Sequence, residues 1–392
     1  MDDRFLKANL AQTTPFPFTI EVERAEGSWI YAKDGKRYLD MISGLAVSNF
    51  GHQHPIIMQS IREQMEKHLH VMVYGEFQQD IIAEAAKELV SLLPSPLDTV
   101  YFVNSGAEAI EAALKLAKRV TGKTEMISFR GSYHGSTHGA MSVSGNEGKK
   151  RAFRPLLPDV RFLKHNALED LEQISTKTAC VILETIQGDA GIRIPDLCFM
   201  QALRTKCSET GALLILDEIQ AGMGRTGKAF AFEHYGIQPD ILVLGKALGG
   251  GMPIGAIVSA REHMEQFTYA PMLGHITTFG GHPLACAGAY GALEALKKID
   301  FEEVEDKGQR IEKAIAGHHK VVEIRRKGMF FAIELTDAET TQKVVHKALE
   351  LGIIGFWFLS CPEAFRIAPP LNISTEEVDW AIERILEALN DH

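Results

Sequence analysis

The chain has 392 residues, of which 45% are hydrophobic, so it can bury one large core or two medium ones. Its formal net charge of -10 comes from carboxylates scattered along the chain, which argues against a nucleic-acid partner. The five cysteines show neither CxxC pairing nor zinc spacing, no apolar signal core opens the chain, and no stretch approaches the roughly 18 apolar residues of a membrane span. We therefore expect a cytoplasmic protein without a membrane partner or a metal.

The predicted elements begin with a strand-like segment at 21–40 and continue as short apolar runs alternating with helical patterns. This alternation predicts an α/β sheet that is mostly parallel and covered by helices on both faces. The runs are TVYFV, followed by the helical pattern AEAIEAALKLAKRV, and then TEMISF, ACVILE, ALLILDE, ILVLG and GAIVS.

The last part of the chain predicts a smaller α+β unit. It contains a long helix at about 285–298, the strand-rich stretch 318–335, a helix around 340–352, the run FRIAPPL and a terminal helix from about Thr375. We expect the first 45 residues to pack on this unit. The predicted division is a large domain, 46–285, and a small domain built from both chain ends, 1–45 and 286–392.

A glycine pattern, GxGxxG at Gly222, Gly224 and Gly227, follows the apolar run 213–216. In a dinucleotide site the glycines turn directly from the strand end into a helix. Here residues 217–221 separate the run from the first glycine, and no sustained helical period follows the last one. We therefore predict a flexible loop rather than a dinucleotide site.

Two strand ends carry charged residues that indicate chemistry. Lys246 follows ILVLG and precedes a run of glycines, where a desolvated lysine has a lowered pKa suited to Schiff-base formation. Asp217 ends another buried run and needs a cation or a strong donor, although a helix cap or a turn would explain it equally well. A lysine with an acid partner is the arrangement expected around pyridoxal phosphate, to whose ring Gln220 could donate and on which Ile219 could pack.

A phosphate cradle is predicted at the start of the first helical pattern. Ser105 is the N-cap, Gly106 and Ala107 are small enough for close approach, and Glu108 completes a capping box, although an ordinary capped helix has the same signature. Tyr133 or His134 could stack on the second ring face, whereas a lone aromatic there is more often core packing.

The motifs NSGAEA, GSYHG, ETIQGDAG, LDEIQAGMGRTG, LGKALGGGMPIGA and TTFGGHPLACA occur in the order and at the spacings of class III, pyridoxal-phosphate-dependent aminotransferases. The resemblance extends from DGKRYLD and GHQHP to FRIAPPL, nearly the whole chain. The chain is therefore identified as similar to a family that includes acetylornithine, ornithine, 4-aminobutyrate and ω-aminotransferases.

The resemblance implies the fold called type I and a homodimer with the cofactor between subunits. It makes Lys246 the Schiff-base lysine and the general acid and base, Asp217 the partner of the pyridinium nitrogen, and Gln220 the donor to the ring oxygen. Tyr133 resembles the stacking aromatic, with His134 beside it. The phosphate would be held by Ser105, Gly106 and Ala107, and by Thr278 of the other subunit.

For the substrate, the resemblance implies that Arg366 binds the α-carboxylate of a 2-oxo acid and that Glu184 pairs with this arginine while an ω-amine occupies the site. Two positions depart from the ornithine, acetylornithine and 4-aminobutyrate pattern. Ser136 stands where those enzymes carry an arginine for a distal carboxylate, and Leu45 replaces the tyrosine of ornithine enzymes.

We therefore expect a ping-pong aminotransferase that moves an amino group from an ω-amino acid or amine to a 2-oxo acid. A second interpretation is an acetylornithine-type enzyme that uses 2-oxoglutarate and finds its second cation among Lys149, Lys150, Arg151 and Arg154. The sequence is also consistent with an aminomutase, which needs no external acceptor, and with a binding protein that keeps the fold without catalysis.

Overall fold

The computed structural model describes residues 9–14 and 17–391. The strands are β1 Val22–Glu26, β2 Trp29–Ala32, β3 Arg37–Asp40, β4 Thr99–Val103, β5 Glu125–Phe129, β6 Val160–Leu163, β7 Thr178–Glu184, β8 Leu213–Asp217, β9 Ile241–Gly245, β10 Gly255–Ser259, β11 Val321–Lys327, β12 Phe330–Leu335, β13 Ile353–Ile354, β14 Phe356–Trp357 and β15 Ala364–Ile367. The longer helices are α1 Pro55–Lys67, α2 Asp80–Ser91, α3 Gly106–Thr121, α4 Leu197–Thr210, α5 Pro283–Leu296, α6 Phe301–Ile315, α7 Ala338–Glu350 and α8 Thr375–Asn390. Short helical segments lie at Ser43–Ala46, His138–Val143, Glu147–Lys150 and Arg261–Met264. Across the described ranges, no helix is both long enough and apolar enough to pass through a bilayer.

A seven-stranded sheet in the order β4-β10-β9-β8-β7-β5-β6 forms the centre of the molecule. Its strands run parallel except β10, which is antiparallel to both of its neighbours. The predicted mostly parallel sheet is thus confirmed. The edge strand β6 was not predicted, because its sequence VRFL is short and only Leu163 is buried.

Helices cover both faces of this sheet, because alternate residues of the strands point to opposite sides. Cys180 and Ile182 of β7 pack with helix α3, whereas Val181 and Leu183 pack in the core that includes helices α4 and α5. Helix α3 begins where the Ser105 hydroxyl accepts the Glu108 N–H, and it ends at Gly122, whose φ of 67° suits glycine.

Two four-stranded sheets, β1-β2-β3-β13 and β11-β12-β15-β14, lie outside the central sheet. Strand β13 pairs in parallel with β3, so segments from both ends of the chain share one sheet. Residues of β3, β12 and β15 share an apolar core with helices α6, α7 and α8. Helix α5, in contrast, contributes to the core of the central sheet and packs on α1 and α2.

The loop that carries the GxGxxG pattern is buried, and Arg225 holds it in place. The Arg225 guanidinium donates to the carbonyl oxygens of Met329 (2.9 Å) and Pro369 (2.6 Å) and to Oδ1 of Asn49 (2.6 Å). Burial lowers the pKa of Arg225 to about 9, although Asp40 opposes this shift. The predicted loop is present. The expectation that it is flexible was wrong, because the loop is buried and Arg225 ties it to distant parts of the chain.

We expect Arg225→Leu to lower the free energy of unfolding by about 3 kcal/mol or more, because three buried acceptors would lose their donor. Arg310→Leu is the matched control, since Arg310 forms an exposed ion pair with Asp379 and such pairs contribute little to stability. Urea denaturation of both variants measures the difference. Equal losses in the two variants would contradict the proposed clamp.

Candidate active site

The carboxyl ends of β7, β8 and β9 bring three charged side chains to one edge of the central sheet. Glu184 lies opposite Asp217 in the register of β7 and β8, and Lys246 directly follows β9. They meet at a cavity of about 300 Å³. Its lining consists of Gly106, Ala107, Tyr133, His134, Gly135, Ser136, Glu184, Ile186, Asp217, Ile219, Gln220, Ala221 and Lys246. The structure therefore brings together most residues that the sequence assigned to one cofactor site.

Lys246 has a left-handed backbone, with φ of 45°, which no pattern in the sequence predicted. For a residue other than glycine this conformation costs on the order of 1–3 kcal/mol and is concentrated at functional sites. Burial lowers the pKa of the Lys246 amine, while the carboxylates of Asp217 and Glu184 act in the opposite direction. The amine can therefore lose its proton more easily than an exposed lysine.

Asp217 is buried and has two fixed donors. Its Oδ2 lies 2.7 Å from Nδ1 of His134, and its Oδ1 accepts the backbone N–H of Ile219 at 3.0 Å. Nε2 of His134 is also buried and contacts no hydrogen-bond partner within the described part of the chain. His134, one of the two stacking candidates, thus sits as a hydrogen-bond partner of Asp217, while Tyr133 remains partly exposed at the cavity.

The N-terminus of α3 faces the same cavity through Gly106 and Ala107. A Cβ atom on Gly106 would lie 2.7 Å from Cδ1 of Ile219, so a larger residue here would displace the Ile219 side chain that borders the cavity. The predicted capping box is only half formed: Ser105 accepts the Glu108 N–H at 3.2 Å, but the Glu108 carboxylate accepts from Asn104 rather than from the Ser105 N–H. The first turn still presents free amide groups and a positive dipole end, which favour an anion.

Glu184 is buried, and two backbone amides hold its carboxylate. Its Oε1 accepts from Tyr133 N and its Oε2 from Gly188 N, each at 2.9 Å. Burial raises the pKa of Glu184 to about 7, while nearby His134 acts to lower it.

Arg366 forms its ion pair with Asp189, a residue that was not among the predicted site residues. Nη2 of Arg366 lies 3.5 Å from Oδ1 of Asp189, and the guanidinium stacks 4.0 Å from the Phe358 ring centroid. Burial lowers the pKa of Arg366 to about 10, against the influence of Asp189. Asp189 belongs to the same ETIQGDAG motif as Glu184. Its position in the loop after a strand end is the sequence feature from which it could have been predicted as a site residue.

A second cavity, of about 420 Å³, adjoins the first and shares Tyr133, Gly135 and Ser136 with it. Lys149, Lys150 and Asp189 also line it. Two of the candidate second cations, Arg151 and Arg154, line neither cavity, and Arg154 pairs with Glu147 instead.

Four predicted site residues line neither cavity: Ser105, Arg366, Leu45 and Thr278. Ser105 directly precedes Gly106 and Arg366 contacts Asp189, whereas the other two have no such link. Leu45 is 40% exposed and has a left-handed φ of 65°. Thr278 is exposed, and its carbonyl oxygen accepts a hydrogen bond from His70 at 3.1 Å. Their assignments remain predictions.

A family model described as "Aminotransferase class-III" matches residues 11–389. The chain belongs to the class III aminotransferases. It is 37% identical to the acetylornithine aminotransferase of Methanopyrus kandleri, with 99% of both chains covered, and 37% identical to that of Bacillus subtilis, with 95% of this chain and 96% of the relative covered.

Solved structures agree with this assignment. The ornithine aminotransferase of Toxoplasma gondii superposes with a TM-score of 0.89 at 29% identity, covering 98% of this chain and 92% of that one. An (S)-enantioselective omega-transaminase of Thermomicrobium roseum superposes with a TM-score of 0.91 at 29% identity, covering 99% and 97%. The predictions of a transaminase with fold type I and pyridoxal 5′-phosphate as cofactor are confirmed.

The residues of the first cavity fit this cofactor. An amine with a lowered pKa, a buried carboxylate with a histidine behind it, and a helix N-terminus with a glycine are the groups that a phosphorylated pyridine aldehyde requires.

Proposed function

We propose that this aminotransferase takes the amino group from the ω-position of an amino acid of the acetylornithine type and transfers it to a 2-oxo acid. The observation that carries the proposal is the placement of Lys246 and Asp217 in one cavity, while Asp189, the ion-pair partner of Arg366, lines the adjoining cavity. The donor class rests on the relatives named acetylornithine aminotransferase. A broader ω-amine donor is consistent with the fold neighbour named an omega-transaminase.

In this proposal, Lys246 holds the cofactor and moves the proton between the two carbons that exchange the amino group. Asp217, positioned by His134, keeps the ring nitrogen protonated, and Gln220 donates to the ring oxygen. Ser105, Gly106 and Ala107 would hold the phosphate at the start of α3, and Tyr133 and Ile219 would pack against the ring. When bound, pyridoxal phosphate withdraws electrons from the carbon that carries the amino group.

Arg366 binds the α-carboxylate of the 2-oxo acid in the second half-reaction. The sequence assigned Glu184 as the acid that balances this arginine during the first half-reaction. The geometry favours Asp189 for that role, because Asp189 contacts the guanidinium while both Glu184 oxygens accept backbone N–H groups. Glu184 then acts as a fixed acidic group beside Lys246, whose pKa it raises.

We further propose a homodimer in which Thr278 reaches the phosphate held by the partner subunit. The loop around Thr278 exposes large apolar side chains, including Tyr269, Met272 and Leu273, as expected of a surface that another chain covers. Light scattering tests this assembly.

We also propose a cytoplasmic location, which is supported by the five cysteines, all of which are free.

The division of the chain into two domains also remains a proposal. The shared sheet of β3 and β13 supports a smaller unit built from both chain ends. Because α5 belongs to the core of the central sheet, we place the boundary near residue 300 rather than at 285.

A half-reaction experiment tests the function. We expect N-acetylornithine, added without an acceptor, to change the absorbance of the cofactor-loaded enzyme, and a 2-oxo acid added afterwards to restore it. An aminomutase would instead give an isomerised product with no acceptor present. The same measurement is made with a series of other ω-amino acids and amines. Absence of a spectral change with N-acetylornithine and with every compound of this series would contradict the proposal and favour a binding protein.

A further inference from the structure

Two cations share one carboxyl group beside the proposed site. Lys149 Nζ lies 2.5 Å from Oδ2 of Asp189, and Arg366 Nη2 lies 3.5 Å from Oδ1 of the same side chain. The Ser360 hydroxyl also donates to Oδ2, at 2.6 Å. Although burial raises the pKa of Asp189, the hydrogen bonds from Lys149 and Ser360 keep it below its usual value, so this carboxyl is ionised at neutral pH.

Lys149 also faces the space next to the reacting groups. It lines the cavity of about 420 Å³, and its Nζ lies 5.7 Å from the centroid of the Tyr133 ring, which borders both cavities. Tyr133 in turn contacts Ser136, with 3.2 Å between the two hydroxyl oxygens. Lys149 therefore lines the same cavity as Ser136, the neutral residue at the position where the resemblance to ornithine, acetylornithine and 4-aminobutyrate enzymes implies an arginine.

The neighbouring lysine is unsuited to this role. Lys150 donates to the carbonyl of Ser144 at 2.7 Å, and its Nζ lies 4.0 Å from the centroid of the Phe162 ring. It is almost fully buried, and burial lowers the pKa of its amine. Lys149, in contrast, keeps a third of its side chain exposed.

We propose that Lys149 is the specificity residue that binds the second carboxylate of a dicarboxylic substrate, such as 2-oxoglutarate, while Arg366 binds the carboxylate next to the reacting carbon. An ammonium group has three N–H donors, so Lys149 can keep Asp189 and still bind a substrate carboxylate. Both cations contact the same carboxyl group, Lys149 at Oδ2 and Arg366 at Oδ1 of Asp189, so the two lie close to each other. This inference rests on the proposed aminotransferase function.

The test compares acceptors that differ by one carboxylate. The enzyme in its amino form is mixed with 2-oxoglutarate or with pyruvate, and the rate of the single half-reaction is followed by absorbance. We expect a wild-type preference for 2-oxoglutarate over pyruvate of about a hundredfold, because only 2-oxoglutarate presents a second carboxylate to the Lys149 ammonium; this ratio corresponds to about 2.7 kcal/mol. Lys149→Met should lower this preference at least about tenfold, through the rate with 2-oxoglutarate.

Two further variants separate a specific contact from a general effect. Lys149→Arg keeps the charge and should keep most of the preference. Lys164→Met removes a charge from an exposed lysine that lines neither cavity, and it should leave the preference unchanged. If Lys149→Met reacts with both acceptors at the wild-type ratio, the inference is wrong and the aminotransferase proposal stands.

A binding measurement tests the inference without turnover. Calorimetry with glutarate, which has two carboxylates, and butyrate, which has one, should show tighter binding of glutarate to the wild type than to Lys149→Met. Butyrate should bind both proteins equally. Equal glutarate affinities would overturn the inference, whereas absence of both half-reactions in the wild type would overturn the proposed function on which the inference rests.

Discussion

Replacing Lys246 by alanine should lower turnover by about 10⁴-fold or more, the largest effect expected for any single substitution in this chain. The variant loses both the amine that attaches the cofactor and the group that moves the proton. No other lysine among the described residues lines the cavity of about 300 Å³ in which Asp217 lies. Borohydride reduction of the wild type, followed by peptide mass spectrometry, should locate the cofactor on Lys246.

Lys307→Ala is the matched control for this experiment. Lys307 is also buried, but it pairs with Glu303 on helix α6, away from the cavity, at 2.6 Å. Its replacement should leave both the attachment site and the rate unchanged. A reduced adduct found on a different lysine of the wild type would remove Lys246 from its proposed role.

The central sheet could be predicted because its strands are short apolar runs that alternate with an amphipathic helix. β7, β8 and β9 are almost wholly buried, and in their sequences TACVILE, LLILD and ILVLG only Thr178, the first residue of β7, is polar before the strand end. Charged residues at those ends, Asp217 and Lys246, were therefore conspicuous in the sequence. Strand β6 lies at the sheet edge and lacks this apolar signal, so it was missed.

Contacts between distant segments could not be predicted in the same way. The link between Arg366 and Asp189 joins β15 to the loop after β7, and no spacing in the sequence indicates which carboxylate a buried arginine contacts. The sequence assigned Glu184, which stands at a strand end, to this role, and in the structure each of its oxygens accepts a backbone N–H group. Likewise, the glycines near Arg225 predicted a loop, while its burial depends on Asn49, Met329 and Pro369.

The choice among the basic residues at 149–154 shows the same limit of sequence-based prediction at the substrate site. The family resemblance implies an arginine where this chain has Ser136, and basic residues follow at 149, 150, 151 and 154, but the sequence does not indicate which of them faces the substrate. The structure distinguishes these residues. Lys149 lines the cavity with a partly exposed side chain, the Lys150 amine donates a hydrogen bond to the Ser144 carbonyl, and Arg154 pairs with Glu147.

Arg366→Ala should slow the half-reaction with a 2-oxo acid by tens to thousands of fold, and should slow the half-reaction with a simple amine much less. The guanidinium is buried, and removing one partner of a buried charged contact costs about 2–5 kcal/mol, with about 1.4 kcal/mol for each factor of ten. A simple amine has no carboxylate for Arg366 to bind. Stopped-flow absorbance of the two half-reactions, measured separately, gives the ratio.

Arg326→Ala is the control for loss of a guanidinium from the same sheet as Arg366. Arg326 lies in β11 and pairs with Glu305 and Glu312, so its removal should affect stability and leave the ratio of the two half-reactions unchanged.

Asp189→Asn should shift the ratio of the two half-reaction rates in the opposite direction from Arg366→Ala, because Arg366 then keeps its charge without a counter-ion while the amine is bound. Equal losses of both half-reactions in Arg366→Ala would show that the arginine supports the fold of the site and does not select the acceptor.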